Sequence, residues 1–331
     1  MLSKLITHSK IGIGVVALLL LCGTTVHAKD TIGPWDKAEL FAAPKHYPSD
    51  QFNVSGVTSI LYEGLNYKGT LARFYAYYGV PEGQAPATGW PAIVLVHGGG
   101  GTASAKWVKQ WNEHGYAAIS MDLEGHLPKP GPHNKRPGHE WSGPHRSSHF
   151  EEKAIHKGQP VDEHWFYDAI GGVVRADSLL RSFPEIDKDR IGIAGFSWGG
   201  VLTSVSLGVD SRFRFGITHT GCGFLHEGDS HLGDSFRRRS PEKLQESLAL
   251  YEPSTYLPNV TAPVLRTSYP TDSHFPLDCE QKSAQTTNFS SDDWLEVTDS
   301  IESQGNQTTF RNTLFGEIPE KVFFRIRQVV N

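Results

Sequence analysis

The stretch that decides the fold is Arg190-Ile-Gly-Ile-Ala-Gly-Phe-Ser-Trp-Gly-Gly200. Its first part is a short apolar run typical of a buried central strand, and residues 198–208 continue as a helix. Between the two, Gly195-Phe-Ser197-Trp-Gly199 fits the pattern G-x-S-x-G. At a strand-to-helix junction this pattern predicts a nucleophile elbow, a strained turn that exposes a serine hydroxyl at the edge of a sheet. The alternative is a glycine-rich turn with an idle serine.

Strand and helix signals alternate on both sides of this stretch. Apolar strand-like runs are predicted at residues 54–62, 70–78, 91–97, 116–122, 190–196, 213–219 and 263–269. Helical patterns are predicted at residues 103–114, 163–182 and 198–208. This alternation predicts an α/β fold with a mostly parallel central sheet and helices on both faces. Segments 124–162 and 223–257 break the rhythm, so we expect two insertions in a single domain over residues 29–331.

A glycine run follows the predicted strand at residues 91–97. It reads His97-Gly-Gly-Gly-Gly101, and such a loop brings backbone N–H groups close to a bound acyl oxygen. We therefore expect an oxyanion hole made by the N–H of Gly98 or Gly99 and the N–H of Trp198, with His97 shaping the loop. A phosphate-binding loop is the competing interpretation, but neither G-x-G-x-x-G nor G-K-[ST] is present.

The acid that partners a serine nucleophile should follow a later strand. Tyr269-Pro-Thr-Asp272-Ser-His274 comes directly after the predicted strand at residues 263–269. Asp272 is therefore the candidate acid, with Asp278 in reserve. The alternative for Asp272 is a structural aspartate in a proline-rich turn.

These motifs together resemble the α/β-hydrolase superfamily over residues 54–284, and most closely its secreted bacterial acetyl xylan esterase-like and dienelactone hydrolase-like branch. The resemblance rests on the sequence around Ser197, the glycine loop, and Thr271-Asp-Ser-His-Phe-Pro-Leu277. It implies the α/β-hydrolase fold, a Ser–Asp–His triad and hydrolysis of small acyl esters, often acetyl groups on polysaccharide. It implies no cofactor.

The chain departs from that family where the catalytic base is expected. Family members carry a histidine in a loop after the last strand, but the last histidine here is His274. His274 is thus the candidate base, although two residues are little room for Asp272 to orient it. It could pair instead with Asp278 or Asp299, or a histidine from residues 126–156 could fold over the site. A polar stretch at residues 285–312 has little strand signal, and residues 316–330 resemble a final amphipathic helix; a frameshift or true divergence could explain this tail.

The sequence therefore predicts a serine carboxylic ester hydrolase acting on an acyl ester, with acetylated carbohydrate as the expected substrate. A serine peptidase of the prolyl-oligopeptidase kind shares the fold and motif, but no propeller sequence precedes the catalytic part. A third interpretation is a catalytically impaired relative that acts as a binding protein, because the late histidine is missing.

The composition and the N-terminal residues indicate which ligands and which cellular location to expect. The 331 residues carry a net charge of −5, which argues against nucleic-acid binding. Lys4 and Lys10 precede an apolar run at residues 11–21, and Val26-His27-Ala28 offers a cleavage site. Residues 1–28 thus read as a signal peptide, and the mature chain is expected to be secreted or periplasmic without stable membrane insertion. An uncleaved anchor or a lipoprotein at Cys22 is the alternative.

Three smaller features remain open. Six histidines lie within residues 124–162, at positions 126, 133, 139, 145, 149 and 156; their spacing fits no metal-binding helix, so no metal is expected. Cys222 and Cys279 could form a disulfide in an oxidising compartment. Three tryptophans could stack on sugar rings or simply pack in the core: Trp141, Trp165 and Trp198.

Overall fold

The computed structural model describes residues 30–132, 135–139, 160–238, 240–269 and 272–286, together with four short strands nearer the C-terminus. Ten strands of the described residues form one sheet in the order β11-β14-β10-β9-β8-β6-β7-β5-β4-β3. They are β3 His46–Pro48, β4 Thr58–Tyr67, β5 Thr70–Gly79, β6 Trp90–Val96, β7 Ala117–Met121, β8 Ile186–Phe196, β9 Gly216–His219, β10 Val264–Thr267, β11 Trp294–Glu296 and β14 Phe323–Arg325. Two small antiparallel pairs stand apart: β1 Thr31–Ile32 with β2 Trp35–Asp36, and β12 Glu302–Gln304 with β13 Gln307–Thr309.

The sheet is parallel where the predicted site lies. β7, β6, β8, β9, β10, β14 and β11 all pair in parallel, whereas β3, β4 and β5 form an antiparallel extension joined to β7. The carboxyl ends of the parallel strands therefore meet at one edge, which is where open α/β sheets bind ligands. The expected mostly parallel α/β sheet is confirmed.

Helices cover both faces of this sheet. In the described residues they are α1 Lys37–Phe41, α2 Ala105–Glu113, α3 Trp165–Leu180, α4 Trp198–Val209, α5 His231–Arg237, α6 Pro241–Tyr251, α7 Pro253–Tyr256 and α8 Leu277–Thr286, with 3-10 turns at Val161–Glu163 and Leu257–Asn259.

Strand β6 shows why two layers of helices are needed. Val94 and Val96 join the core under α3 and α4, while Ile93 and Leu95 join the core under α2. Successive side chains of a strand point to opposite faces, so a strand that is apolar at every position has to be covered on both sides. The buried central strand predicted from residues 91–97 is thus explained by its position in the middle of the sheet.

The C-terminal part differs from the sequence expectation. A final amphipathic helix over residues 316–330 is wrong at Phe323–Arg325, which forms β14 beside β10. Residues 285–312 were expected to hold little strand, yet β11, β12 and β13 lie there. Ladder hydrogen bonds use only backbone groups, so an open sheet edge can recruit a polar segment that lacks an alternating apolar pattern.

Candidate active site

Ser197 occupies a strained turn between β8 and α4. It is the residue before the first turn of α4 and has φ 56° and ψ −121°, a left-handed value that costs energy for a residue with a side chain. Its N–H donates to the carbonyl oxygen of His219 at 2.9 Å, and its own carbonyl accepts from Gly200 N–H at 2.7 Å. These two backbone bonds hold the turn, and the side chain is left partly exposed at the carboxyl edge.

The glycines around Ser197 are required by close backbone approaches. A Cβ atom at Gly195 would lie 2.1 Å from the carbonyl oxygen of Gly199, and one at Gly199 would lie 2.1 Å from that of Val96. At Gly200 the clash would be with the carbonyl oxygen of Thr220, at 1.9 Å. Real Cβ atoms do not approach other atoms so closely, so the spacing G-x-S-x-G-G is a steric requirement of this turn.

The glycine loop after β6 lies directly against the elbow. A Cβ at Gly98 would lie 3.2 Å from Ser197 Cβ. Gly101 N–H donates to the Gly98 carbonyl at 2.9 Å, and Gly100 N–H donates to Glu124 Oε1 at 2.8 Å. Within the described part of the chain, the N–H groups of Gly98 and Gly99 have no hydrogen-bond acceptor. These are the two N–H groups that the sequence predicts for the oxyanion hole.

Three side chains hold the glycine loop in place. His97 is buried; its Nδ1 lies 2.8 Å from the Gly98 carbonyl oxygen and its Nε2 accepts from Leu123 N–H at 2.9 Å. Arg136 Nη1 donates to the carbonyl oxygens of Gly100 and Gly101 at 2.9 and 2.6 Å. Together with Glu124, these contacts hold both the N–H groups and the carbonyl groups of the loop. His97 therefore supports the loop, as the sequence predicts.

The loop after β10 carries both Asp272 and His274. Asp272 Oδ1 accepts from the backbone N–H groups of His274 and Phe275 at 2.8 and 3.0 Å. The His274 side chain is exposed, with Nδ1 3.3 Å from Ser273 Oγ. The carboxylate of Asp272 thus caps its own turn through the backbone of His274. Both residues lie after the strand where the sequence expected them, and their catalytic roles stay predictions.

A second histidine, which the sequence patterns did not single out, is bonded to the elbow through its backbone carbonyl. His219 ends β9 and pairs in register with Phe196, the residue before Ser197. The two rings stack with centroids 5.3 Å apart and an interplanar angle of 15°. His219 Nδ1 lies 2.6 Å from Thr267 Oγ1, and Tyr269 packs edge-on against the imidazole at 5.0 Å. The signal was available: the predicted strand at residues 213–219 ends at this histidine.

The electrostatics of His219 connect it to the acid loop. Burial lowers the pKa of His219, and the negative charge of Asp272 opposes that shift. The imidazole is therefore neutral near pH 7 while lying within the field of the proposed acid. Phe196 and Tyr269, on either side of it, are exposed by 49% and 56%, so this aromatic row faces solvent.

The remaining sequence candidates are distributed as follows. Trp165 and Trp198 are both buried, and Trp165 Nε1 donates to the Leu123 carbonyl at 2.5 Å, so neither offers a free face to a sugar. Trp141 lies outside the described residues, as do four of the six insertion histidines, Asp299 and the signal segment. Within the described ranges, no group of three or more histidines, cysteines or acids could hold a metal.

The two cysteines are both buried and both free thiols. Burial is the main cause that raises the pKa of the Cys222 thiol, and a hydrogen bond with Cys279 contributes. Cys279 Sγ also donates to the Phe224 carbonyl at 3.3 Å. The two thiols are therefore neighbours in the reduced state, between the end of β9 and α8. No helix in the described part of the chain is long and apolar enough to cross a membrane.

Solved structures support the fold. An acetyl xylan esterase from Paenibacillus sp. R4 aligns with a TM-score of 0.58 and 18% identity over 76% of this chain and 82% of that one. Acetyl xylan esterase 1 from Thermoanaerobacterium sp. JW/SL YS485 aligns with a TM-score of 0.57 and 16% identity over 76% of this chain and 84% of its own. An acylaminoacyl peptidase from Pyrococcus horikoshii gives 0.51 and 20% identity over 84% of this chain but only 38% of the peptidase.

A family model adds sequence-level support. The model of the acetyl xylan esterase family (AXE1) matches residues 37–218, more than half of the chain, and the match spans the glycine loop, the elbow and nearly all of β9. With the sheet order and the strained Ser197 turn, this match settles the family: the chain belongs to the acetyl xylan esterase family of the α/β-hydrolase superfamily.

Proposed function

We propose that this chain is an exported serine carboxylic ester hydrolase that removes acetyl groups from carbohydrate. Ser197 attacks the ester carbonyl, the N–H groups of Gly98 or Gly99 and of Trp198 hold the oxyanion, and Asp272 supplies the negative charge that stabilises the protonated base. The single observation that carries the proposal is the Ser197 turn with φ 56°. Strain of this kind is kept where a side chain must be presented in one direction.

The geometry around Ser197 suits acyl transfer. Trp198 begins α4, and the N-terminus of a helix carries partial positive charge that favours a developing anion. A Cβ added at Gly98 would lie 3.2 Å from Ser197 Cβ, so the glycine loop is next to the nucleophile and its N–H groups are the candidate oxyanion donors. Preorganised donors of this type stabilise the tetrahedral intermediate more than the planar ester, which is what accelerates the reaction.

Family membership narrows the substrate class. Two of the solved structures with matching folds are named acetyl xylan esterases, so acetylated xylan is the first polysaccharide to test. Export fits a polymer that cannot enter a cell, and it is the setting that the signal-like N-terminus predicts. The N–H donors recognise only the carbonyl oxygen; the sugar has to be selected by other contacts at the carboxyl edge.

The test is hydrolysis of 4-nitrophenyl acetate and acetate release from acetylated xylan by the full chain. Ser197→Ala should remove activity by on the order of 10⁶-fold without changing the unfolding midpoint. Ser211→Ala, at an exposed serine just beyond α4, is the matched control and should keep full turnover. Retention of a tenth of the activity in Ser197→Ala would contradict the assignment of the nucleophile.

Two further measurements separate the alternatives. Faster cleavage of an N-acyl amino acid 4-nitroanilide than of the acetyl ester would replace the esterase with a peptidase. Tight binding of acetylated xylan without acetate release would favour the impaired, binding relative.

A further inference from the structure

The histidine on β9 offers a solution to the missing base. Of the histidines in the described residues, His219 is the one whose strand lies directly beside the nucleophile strand. Its carbonyl accepts the Ser197 N–H at 2.9 Å, and its ring covers the Phe196 ring. The elbow and this imidazole are therefore held to each other by a backbone bond and a stacking contact.

The Thr267 hydroxyl anchors the ring of His219. Thr267 Oγ1 lies 2.6 Å from Nδ1 of His219 and 3.4 Å from the Thr218 carbonyl oxygen, and a hydroxyl can both donate and accept. The tautomer with the proton on Nδ1 leaves the lone pair on Nε2. A neutral imidazole in that tautomer is the form that can accept a proton from serine.

The other histidines of the described residues near the site are less suited. Both ring nitrogens of His97 are engaged, one with the Gly98 carbonyl and one with Leu123 N–H. His164 is buried and its Nδ1 contacts the Tyr251 hydroxyl. His274 is exposed, and Asp272 reaches its backbone N–H. For His219, by contrast, Asp272 is the charge that acts on the ring itself.

We propose that His219 is the general base of this enzyme, with Thr267 orienting its ring and the charge of Asp272 stabilising the imidazolium; the inference rests on the proposed function. The Ser197 Oγ–H proton passes to Nε2, directly or through one water, while Oγ bonds to the acyl carbon. As the tetrahedral intermediate collapses, the acyl C–O bond breaks and Nε2–H gives its proton to the leaving alcohol. A water molecule, deprotonated by the same nitrogen, then attacks the acyl carbon; the bond between Oγ and the acyl carbon breaks, acetate leaves, and Nε2–H returns its proton to Ser197 Oγ.

This arrangement moves the base from the last loop of the fold to the end of the strand beside the nucleophile. It explains how a chain whose last histidine is His274 can still assemble a serine, an imidazole and a carboxylate in one site. It also gives a function to the pairing of His219 with Thr267, since an unanchored imidazole could rotate away from the elbow.

The test compares three asparagine variants in the full chain. His219→Asn keeps an N–H donor near Thr267 but has no basic nitrogen, and it should lower kcat on 4-nitrophenyl acetate by at least 10³-fold. His114→Asn, at an exposed histidine after α2, should leave kcat unchanged. His274→Asn tests the rival base. Labelling of Ser197 by a fluorophosphonate, followed by mass spectrometry, measures serine activation without any ester substrate and should fall in parallel.

Chemical rescue separates a base from a structural residue. In His219→Ala, added imidazole should restore part of the turnover, since the lost ring leaves room beside Thr267. Asp272→Asn should move the acidic limb of kcat/KM to lower pH, because the charge that raises the imidazole pKa is gone; Tyr269 and Asp272 are the titratable groups that face this ring.

Each outcome has one meaning. Wild-type turnover that His219→Asn leaves intact, or that only His274→Asn removes, overturns the inference and leaves the proposed function standing. A loss in His219→Asn that imidazole cannot restore in His219→Ala marks a structural role and also overturns it. A wild-type chain that neither hydrolyses the ester nor labels at Ser197 overturns the proposed function together with this inference.

Discussion

The elbow after β8 and the loop after β10 lie at the carboxyl edge of the same parallel sheet, but they are held by different forces. At the elbow, glycines approach backbone carbonyl oxygens so closely that a Cβ would lie 1.9–2.1 Å away. In the loop, Asp272 Oδ1 makes two local bonds to backbone N–H groups, and the neighbouring His274 is exposed. Backbone packed against backbone fixes the first region, whereas the second is fixed by its own turn and by one buried side chain, Phe275, which packs against Trp198.

This difference accounts for what each region can vary. A turn held by steric contact with two neighbouring strands tolerates no change in spacing, so the nucleophile stays where the motif puts it. A loop held by its own hydrogen bonds can be rebuilt without disturbing the sheet, so the residues that it presents can change. The residues that the loop after β10 presents are thus the part of the site that can change while the nucleophile stays in place.

Substitution of Gly200 is expected to have the largest effect on stability, and it tests whether steric contact holds the elbow. In Gly200→Ala the new Cβ would lie 1.9 Å from the Thr220 carbonyl oxygen, and the three nearest atoms all belong to backbone, which cannot move aside as the end of a side chain can. We expect a loss of more than about 4 kcal/mol in the free energy of unfolding, with esterase activity lost as well. Urea denaturation of purified protein measures this.

Gly69→Ala is the matched control for that experiment. Gly69 has φ +76° and nothing within 4 Å of an added Cβ, so only backbone strain is introduced, at a cost of about 1 kcal/mol. Equal destabilisation by the two variants would show that steric contact does not hold the elbow, and the contrast between the two regions would fail.

The elbow was readable from sequence because its determinants are local. The apolar strand, the glycine spacing and the helix that follows occupy one continuous stretch, and the structure places β8 at Ile186–Phe196 and α4 at Trp198–Val209. The base was not readable in the same way, because its position depends on which strands become neighbours. His219 lies 22 positions after Ser197 in the sequence, and only the pairing of β8 with β9 brings the two together.

The C-terminal strands illustrate the same limit. β14 is added at the edge of β10 by backbone pairing at Arg266 and Arg325, a contact that leaves little trace in the local residue pattern. The helix expected over residues 316–330 followed the local pattern alone. Where a sheet edge is open, pairing competes with local helix preference and can override it.

A smaller effect is expected where the glycine loop is clamped. Arg136→Ala removes both hydrogen bonds to the carbonyl oxygens of Gly100 and Gly101, so the N–H groups of Gly98 and Gly99 should lose their alignment. We expect kcat on 4-nitrophenyl acetate to fall by roughly 10- to 100-fold, the range in which small misplacements act, with KM changing less. Steady-state kinetics measures the two parameters separately.

Arg136→Lys is the graded control, because an ammonium can restore one of the two bonds and should recover part of the lost kcat. If Arg136→Ala has full activity, the glycine loop is held by its own backbone, and the two regions differ less than the contacts suggest.

The smallest effect on activity is expected from a buried carboxyl group that the proposed reaction does not use, and it is needed to interpret any pH profile of His219. Asp168 lies in the first turn of α3 and is buried, and burial raises its pKa from 3.8 to about 8. The folded state therefore binds a proton that the unfolded state releases near pH 4. This contribution to stability is complete below pH 4 and is lost as the pH rises to about 8, by as much as about 1.4 kcal/mol per unit of pKa difference.

Asp168→Asn keeps a neutral side chain of the same shape at every pH, so it should reduce the dependence of the free energy of unfolding on pH between 5 and 8. The slope that remains comes from Asp177 and Glu280, because burial raises the pKa of each to about 7. Asp162→Asn, at an exposed aspartate in the preceding turn, should leave the wild-type slope in place. Neither variant should move the acidic limb of kcat/KM, which we assign to His219. If Asp168→Asn shifts the acidic limb of kcat/KM, the pH dependence of the rate reflects the titration of Asp168. The acidic limb could then not be used to identify the base. If the stability slope decreases while the limb stays, the framework and the catalytic edge titrate independently, as expected when one proton is held within the core and the other is exchanged at the end of β9.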